Sequence, residues 1–104
     1  MKELKLYEQI WLQKVNQLIN ENLDNTHFNT QNLAFQLNLS KASFYRRIVK
    51  LTGTSPADYI KNKRLEEARK LLADSPDCSL QELAAKVGYT RKDYFAKIFL
   101  AETC

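Results

Sequence analysis

Four cationic side chains are concentrated in the stretch SKASFYRRIVKLTGTSP, residues 40–56, which contains no acidic residue. They are Lys41, Arg46, Arg47 and Lys50. Ammonium and guanidinium groups bind phosphate and carboxylate oxygens through charge-assisted hydrogen bonds. Because Phe44 and Ile48 lie in the same stretch at helical spacing, the pattern predicts a helix with one buried face and one face directed at a negatively charged partner.

The charge of the chain is unevenly distributed. Over all 104 residues, 16 Lys and Arg against 12 Asp and Glu give a net charge of +4. Residues 1–40 hold three bases and four acids, whereas residues 41–70 hold nine bases and three acids. Concentrated positive charge beside aromatic residues favours a polyanion such as nucleic acid. From charge alone, a solvated helical face is an equal alternative.

Residues for other kinds of chemistry are sparse. Cys78 and Cys104 lie far apart and His27 is the single histidine, so we expect free thiols, an inert loop histidine and no zinc site. The sequence has no Ser/His or Cys/His set, no paired carboxylates and no glycine-rich phosphate loop, which argues against an enzyme and predicts no cofactor. No signal peptide or long apolar run is visible, which predicts a cytoplasmic location without membrane contact.

Helix-forming residues dominate, and only two glycines and two prolines occur in the chain, so we expect an all-α fold. Apolar spacings of three and four predict an amphipathic helix over residues 4–23. Asn29 is expected to cap a second helix, which buries Leu33, Ala34 and Leu37. Ser40 is expected to cap the third, which Gly53 ends in the left-handed conformation.

Three further helices are predicted in the remainder of the chain. Ser55 precedes Pro56, a typical helix start, and the helix that follows is expected to run to about Asp74. Ser79 and Glu82 form a capping-box pattern at the start of the fifth helix, and the sixth starts at about Arg91. Core spacing predicts that most aromatic side chains are packed inside; they are Trp11, Phe28, Phe35, Tyr59, Tyr89, Tyr94, Phe95 and Phe99. Among them, Phe35 neighbours the buried stripe of its helix without clearly belonging to it.

An internal repeat organises these helices. Residues 31–39, QNLAFQLNL, align with residues 81–89, QELAAKVGY, at an offset of 50, and one extra turn residue then makes the offset 51. Each copy has the form of a helix-turn-helix: a helix with a buried Leu-Ala pair, a tight turn and a basic aromatic helix. We expect two helix-turn-helix subdomains joined by a long linker helix. Their predicted bounds are 8–54 for the first subdomain, 55–74 for the linker and 75–104 for the second.

The stretches GTSPADYIKNKRLEEARKLL and LQELAAKVGYTRKDYFAKIF resemble the DNA-binding domain of the AraC/XylS family of bacterial transcription regulators. SFYRRIVKLTG is similar to output domains of hybrid two-component sensors within that family. The chain departs from the family after Phe99: it ends at LAETC, where members usually continue into a seventh helix, so the last helix is missing from this sequence.

The resemblance implies sequence-specific binding of double-stranded DNA, with two recognition helices in successive major grooves. Matched position by position, the residues expected to read bases are Ala42, Tyr45, Arg46, Lys92, Asp93, Ala96 and Lys97. Those expected to contact phosphates are Ser40, Lys41, Arg47, Lys50 and Arg91. RNA polymerase is a further partner that the resemblance suggests, and the isolated domain is expected to be a monomer.

Two residues have two expected roles each. Asp93 is suited to accept a hydrogen bond from cytosine and equally to interact with the helix dipole. Arg64 matches a family arginine for which an internal ion pair is favoured over a DNA contact. For the whole domain, the alternative is a helical protein-interaction module without specific DNA binding, and the salt dependence of binding distinguishes the two.

Overall fold

The computed structural model describes residues 3–103, without the side chains of Glu102 and Thr103, and within that range it contains six helices and no strand. The helices are α1 (Leu6–Glu21), α2 (Thr30–Gln36), α3 (Lys41–Thr52), α4 (Pro56–Asp74), α5 (Leu80–Lys86) and α6 (Lys92–Thr103). The expected all-α class is confirmed. Cys78 is a free thiol, whereas Cys104 lies outside the described residues. Within that part of the chain, no helix is long and apolar enough to cross a membrane.

The chain divides into two compact units whose boundary falls inside α4. The first unit comprises the chain up to Glu21 together with Phe28–Ile60. The second comprises Asn22–His27 and the chain from Lys61 onward. Each unit therefore contains one of the two helix pairs that the repeat predicts: α2 and α3 in the first, α5 and α6 in the second.

The core of the first unit is assembled from α1, α2, α3 and the start of α4. Its buried apolar residues are Val15, Ile19, Phe28, Leu33, Ala34, Phe44, Ile48 and Ile60. The hydroxyl of Tyr59 donates a hydrogen bond of 2.6 Å to Oδ1 of Asn16, which links α4 to α1. Phe44 and Ile48 are fully buried, and they anchor α3 through one face only.

The second unit has its own core, which is formed by residues of α4, α5 and α6 and by Val87. Its buried residues are Leu65, Ala68, Leu83, Ala84, Val87, Phe95 and Phe99. Phe95 and Phe99 stack with their ring centroids 5.2 Å apart, and Tyr89 lies 5.5 Å from Phe95. Phe95 and Phe99 are thus the large buried side chains of α6 in this core, and Phe95 contacts Tyr89 in the preceding turn.

The predicted caps fix where the short helices begin and end. The side chains of Asn29, Ser40 and Ser79 accept hydrogen bonds from the first turns of α2, α3 and α5, as expected. Ser55 does the same for α4, accepting from the N–H of Asp58 at 3.2 Å. Gly53 ends α3 with a φ of 76°, in the left-handed region that glycine tolerates best. Local sequence therefore sets these boundaries.

Several aromatic and apolar side chains expected inside the core are exposed. Phe35 is 80% exposed and Tyr94 is 47% exposed, so their assignment to the core was wrong. Phe35 directly follows the buried Ala34, and Tyr94 directly precedes the buried Phe95. Because a helix turns by about 100° per residue, a residue next to a buried one lies off the buried face. On α1 the buried residues are Glu8, Val15 and Ile19, and the stripe they define leaves Tyr7 and Ile10 exposed.

Candidate nucleic-acid interface

Four residues, 37–40, lie between α2 and α3 and form the turn of the first helix-turn-helix. Leu37 ends α2, and Asn38 adopts a φ of 59°, which reverses the chain. The N–H of Leu39 then donates to the carbonyl of Ala34 at 3.0 Å, which binds the turn to the preceding helix. Asparagine tolerates the left-handed conformation better than most residues. Ser40 follows directly and caps α3 by accepting from the N–H of Ser43 at 3.1 Å.

The second helix-turn-helix has the same turn with one residue more. Gly88 has a φ of 88°, and the N–H of Tyr89 donates to the carbonyl of Ala84 at 2.9 Å. Thr90 is the additional residue. The carbonyl of Arg91 accepts from the N–H of Phe95, as the carbonyl of Ser40 does from Phe44. The offset of 50 in the turn therefore becomes 51 in the recognition helices, as the sequence alignment predicts.

In the first unit, the residues expected to face DNA lie on the solvent side of α3. Every one of them is exposed; they are Ser40, Lys41, Ala42, Tyr45, Arg46, Arg47 and Lys50. Phe44 and Ile48 occupy the opposite, buried side. Nη2 of Arg46 lies 3.4 Å from Oγ of Ser43, one turn earlier on the same helix.

In the second unit, α6 presents the corresponding positions to solvent less completely. Arg91, Lys92, Asp93 and Lys97 are exposed, whereas Ala96 is half-buried. Asp93 lies in the first turn of α6, a position that suits interaction with the helix dipole and leaves its carboxylate accessible. The structure therefore keeps both predicted roles of Asp93 open.

The two recognition helices differ in charge. Between Lys41 and Thr52, α3 carries four cationic residues and no acidic residue. Between Lys92 and Thr103, α6 carries Lys92 and Lys97 against Asp93 and Glu102. Coulombic attraction of phosphates is therefore concentrated on α3, and α6 has no net charge of its own.

Trp11 supports this surface from α1, a role that the sequence pattern did not reveal. The carbon at the centre of the Arg47 guanidinium lies 5.0 Å from the centroid of the Trp11 ring, within the range of a cation–π interaction. The same indole lies 6.1 Å from the ring of Phe44. In the sequence, the helical spacing of Trp11 with Val15 and Ile19 predicted only a core position for Trp11.

Arg64 holds the turn of the second unit in place. It is 5% exposed, and its Nη1 donates to the carbonyls of Val87 and Gly88 at 3.0 and 2.8 Å. Nη2 donates to the carbonyl of Asn25 at 3.3 Å. Arg64 is thus internal, and these partners are backbone carbonyls; the ion pair expected for it stays a prediction. Burial lowers the pKa of Arg64, against a smaller effect of Tyr89 that raises it.

Groups that could ligate a metal ion do not converge in the described part of the chain. Among residues 3–103, no three His, Cys, Asp or Glu side chains lie close enough to hold a metal ion.

Sequence comparison identifies regulators among the relatives of this chain. A family profile described as a helix-turn-helix domain matches residues 33–104. The MmsAB operon regulatory protein of Pseudomonas aeruginosa is 36% identical over 69 residues, which make up 66% of this chain and 22% of that protein. The HTH-type transcriptional activator Btr of Bacillus subtilis is 32% identical over 77 residues, 70% of this chain and 14% of that protein.

A third relative, the histidine kinase P4 of Formosa agariphila, is 25% identical over 88 residues, 85% of this chain and 6% of that protein. The chain thus spans less than a quarter of the length of these three relatives.

Structure comparison gives the same picture. The C-terminal domain of the two-component response regulator yesN from Fusobacterium nucleatum matches with a TM-score of 0.78 and 27% identity, covering 88% of this chain and 96% of that one. The C-terminal domain of AraT, a response regulator from Geobacillus stearothermophilus, matches with a TM-score of 0.79, over 96% of this chain and 78% of that one. At 24% identity the second likeness shows the fold alone.

Proposed function

The chain belongs to the AraC-type helix-turn-helix domain family, and on that premise we propose that it binds double-stranded DNA sequence-specifically as the output domain of a bacterial transcription regulator. The family consists of DNA-binding regulator domains. In the proposed complex, α3 and α6 enter successive major-groove segments. The domain binds and does not catalyse, and it acts in the cytoplasm because the DNA is there.

The observation that carries the proposal is the repetition of one binding geometry. Both units hold a short helix with a buried Leu-Ala pair against a second helix whose opposite side faces solvent. Both turns are closed by the same backbone hydrogen bond, from Leu39 to Ala34 and from Tyr89 to Ala84. Major grooves admit a helix that is anchored on one side and polar on the other, which both units provide.

We assign base reading to side chains near the start and on the outer face of each recognition helix. Arg46 is suited to donate two hydrogen bonds to guanine, and Tyr45 to pack against a thymine methyl group. Ala42 is small enough to let the helix approach the bases. The corresponding residues of α6 are Lys92, Asp93, Ala96 and Lys97.

We assign phosphate contacts to the residues around these. Lys41, Arg47 and Lys50 flank the reading face of α3, and Arg91 precedes α6. The hydroxyl of Ser40 accepts from the N–H of Ser43, which leaves its own hydrogen available to a phosphate oxygen. Such contacts give affinity and salt dependence without selecting a sequence. Because α3 carries the excess of positive charge, most of the electrostatic affinity comes from the first unit.

The test is selection of duplexes from a random DNA library at near-physiological salt, followed by sequencing. We expect two enriched half-motifs about one helical turn apart. The matched variants Arg46→Ala and Lys97→Ala should each reduce the base preference in one half-motif and leave the base preference in the other unchanged. If no duplex is enriched, the proposal is overturned. If one half-motif alone is enriched, the part of the proposal that assigns base reading to α6 is overturned.

A second candidate is docking on another protein. The observation that favours it is apolar surface: Leu6 and Phe35 are largely exposed on α1 and α2. Association that is insensitive to salt, in place of DNA binding, would support this candidate. A contact with RNA polymerase and the monomeric state of the isolated domain stay predictions, which pull-down and sedimentation measurements address.

A further inference from the structure

A groove of about 520 Å³ lies between the start of α1 and the flank of α3 in the first unit. The residues that line it are Tyr7, Glu8, Trp11, Ser43, Arg46, Arg47, Lys50 and Leu51. Three of these are cations, and two are aromatic. The groove thus combines positive charge with flat apolar surface, next to the face of α3 that is assigned to base reading.

The carboxylate in this groove already has a partner. Oε1 of Glu8 accepts from the N–H of Lys5 at 2.9 Å, and the residue is buried. The cationic residues of the groove, in contrast, are exposed; they are Arg46, Arg47 and Lys50. A ligand entering the groove therefore meets a net positive wall, which selects an anion.

Trp11 connects this wall to the core. Phe44 and Arg47 are one turn apart on α3, and both contact the indole, at 6.1 Å between ring centroids and 5.0 Å from guanidinium to ring. Phe44 is fully buried and does not move independently of the core. An arginine side chain loses considerable rotamer entropy when it is fixed, and a stacked guanidinium has already lost part of it before the ligand arrives.

We propose that this groove binds the sugar-phosphate strand that flanks the major groove entered by α3, and that Trp11 is a positioning residue that holds Arg47 for a phosphate. Tyr7 and Lys50 provide a hydroxyl and an ammonium group on either side of the same strand. The inference rests on the proposed DNA binding and extends the interface from the recognition helix to α1.

The test is a double-mutant cycle on DNA affinity, measured at several salt concentrations with the duplex that the library selection identifies. Arg47→Gln should lower affinity several-fold and reduce the slope of log K against log salt by about 0.9, the value for one phosphate contact. Trp11→Met removes the aromatic face and keeps an apolar side chain against Phe44. It should weaken binding in the wild-type background and have little further effect beside Arg47→Gln. Equal effects of Trp11→Met in both backgrounds would show a structural role only and overturn the positioning role.

Two further variants keep the result interpretable if Trp11→Met impairs folding. Trp11→Phe retains a ring face and should restore most of the affinity; failure to do so, with unfolding stability intact, would contradict the cation–π argument. Arg69→Gln removes an exposed cation from α4 in the other unit, and its salt slope should stay at the wild-type value. If wild-type protein selects no duplex at all, the proposed function fails; if it does and the cycle is additive, only this inference fails.

The single tryptophan also reports directly on the groove. Its fluorescence should change on titration with the selected duplex and stay constant with inorganic phosphate at matched ionic strength. A saturable change with phosphate alone would reassign the groove to small anions and overturn its assignment to a DNA strand.

Discussion

The guanidinium of Arg64 occupies the space that a side chain on Gly88 would need. Nη1 of Arg64 donates to the carbonyl of Gly88 at 2.8 Å, and a Cβ built on Gly88 would collide with that same nitrogen and with the carbonyl of Leu23. Gly88 also has a φ of 88°. One residue in the turn before α6 is thus restricted to glycine by its backbone and, separately, by a buried arginine from α4.

Replacing this glycine should be more damaging than replacing the one after α3. In Gly53→Ala the only cost is the strain of an alanine in the left-handed conformation, since no heavy atom lies within 4 Å of the added Cβ. This variant should lower the free energy of unfolding by about 1 kcal/mol. Gly88→Ala should lower the free energy of unfolding by about 3 kcal/mol, because two effects add. The backbone is strained, and the added methyl group displaces Arg64 from the carbonyls to which it donates. Urea denaturation of both variants provides the comparison, and equal losses would contradict the steric argument.

Arg64 and Gly88 should be energetically coupled. Arg64→Ala leaves the carbonyls of Val87, Gly88 and Asn25 without this donor and should be destabilising by about 2–3 kcal/mol. In the double variant with Gly88→Ala, the collision with the guanidinium is absent, so the combined loss should be smaller than the sum of the single losses. Arg69→Ala, an exposed arginine on the same helix, should change stability by less than about 0.5 kcal/mol. An additive double variant would contradict the coupling.

Tyr89 should make the second unit sensitive to alkaline pH. Burial raises the pKa of Tyr89 above its ordinary value; the charge of Arg64 opposes this shift and Tyr94 adds to it. Below about pH 10, tyrosine holds its proton in both the folded and the unfolded chain, so its contribution to stability is complete there. Above that pH the unfolded chain loses the proton first, and stability falls as pH rises toward the higher folded pKa.

Urea midpoints measured from pH 8 to pH 11 test this behaviour. Tyr89→Phe should lose less stability over that range than the wild type, because it removes the group whose ionisation is suppressed by folding. Parallel curves for Tyr89→Phe and the wild type would contradict the assignment.

Base reading and phosphate binding on α3 should be separable by mutation. Arg46→Ala should remove about 1–3 kcal/mol of discrimination at one base pair and relax the selected motif there. Lys50→Ala should weaken binding to all duplexes to a similar extent and reduce the salt slope by about 0.9. Competition binding with single-base variants of the selected duplex measures both effects. If Lys50→Ala changed the motif and Arg46→Ala did not, the two assignments would be reversed.

The boundaries of these helices could be predicted because their signals are local. Asn29, Ser40, Ser55 and Ser79 each cap a helix within three residues of their own position, and Gly53 ends one. The repeat was visible for the same reason: its Leu-Ala pairs and its turns recur at a fixed spacing.

The contacts that tie helices together were not predictable in the same way. Whether Phe35 and Tyr94 pack inside depends on the rotation of a short helix against its neighbours, and periodicity defines that rotation poorly over seven or twelve residues. Arg64 and Trp11 meet partners that are distant in the chain. The candidate DNA-facing residues were assigned by their match to the family pattern, and all of them except the half-buried Ala96 are exposed. The support that Trp11 gives Arg47 required the structure.

Neither compact unit is a continuous piece of chain. Asn22–His27 belong with the second unit although they precede the first helix-turn-helix, and the division of α4 falls between Ile60 and Lys61. A gene fragment starting at Lys61 would therefore lack the carbonyl of Asn25 that accepts from Arg64. No single cut in the gene yields two complete halves, despite the tandem repeat in the sequence. Both units must therefore be kept together in one piece of chain if each is to retain all of its residues.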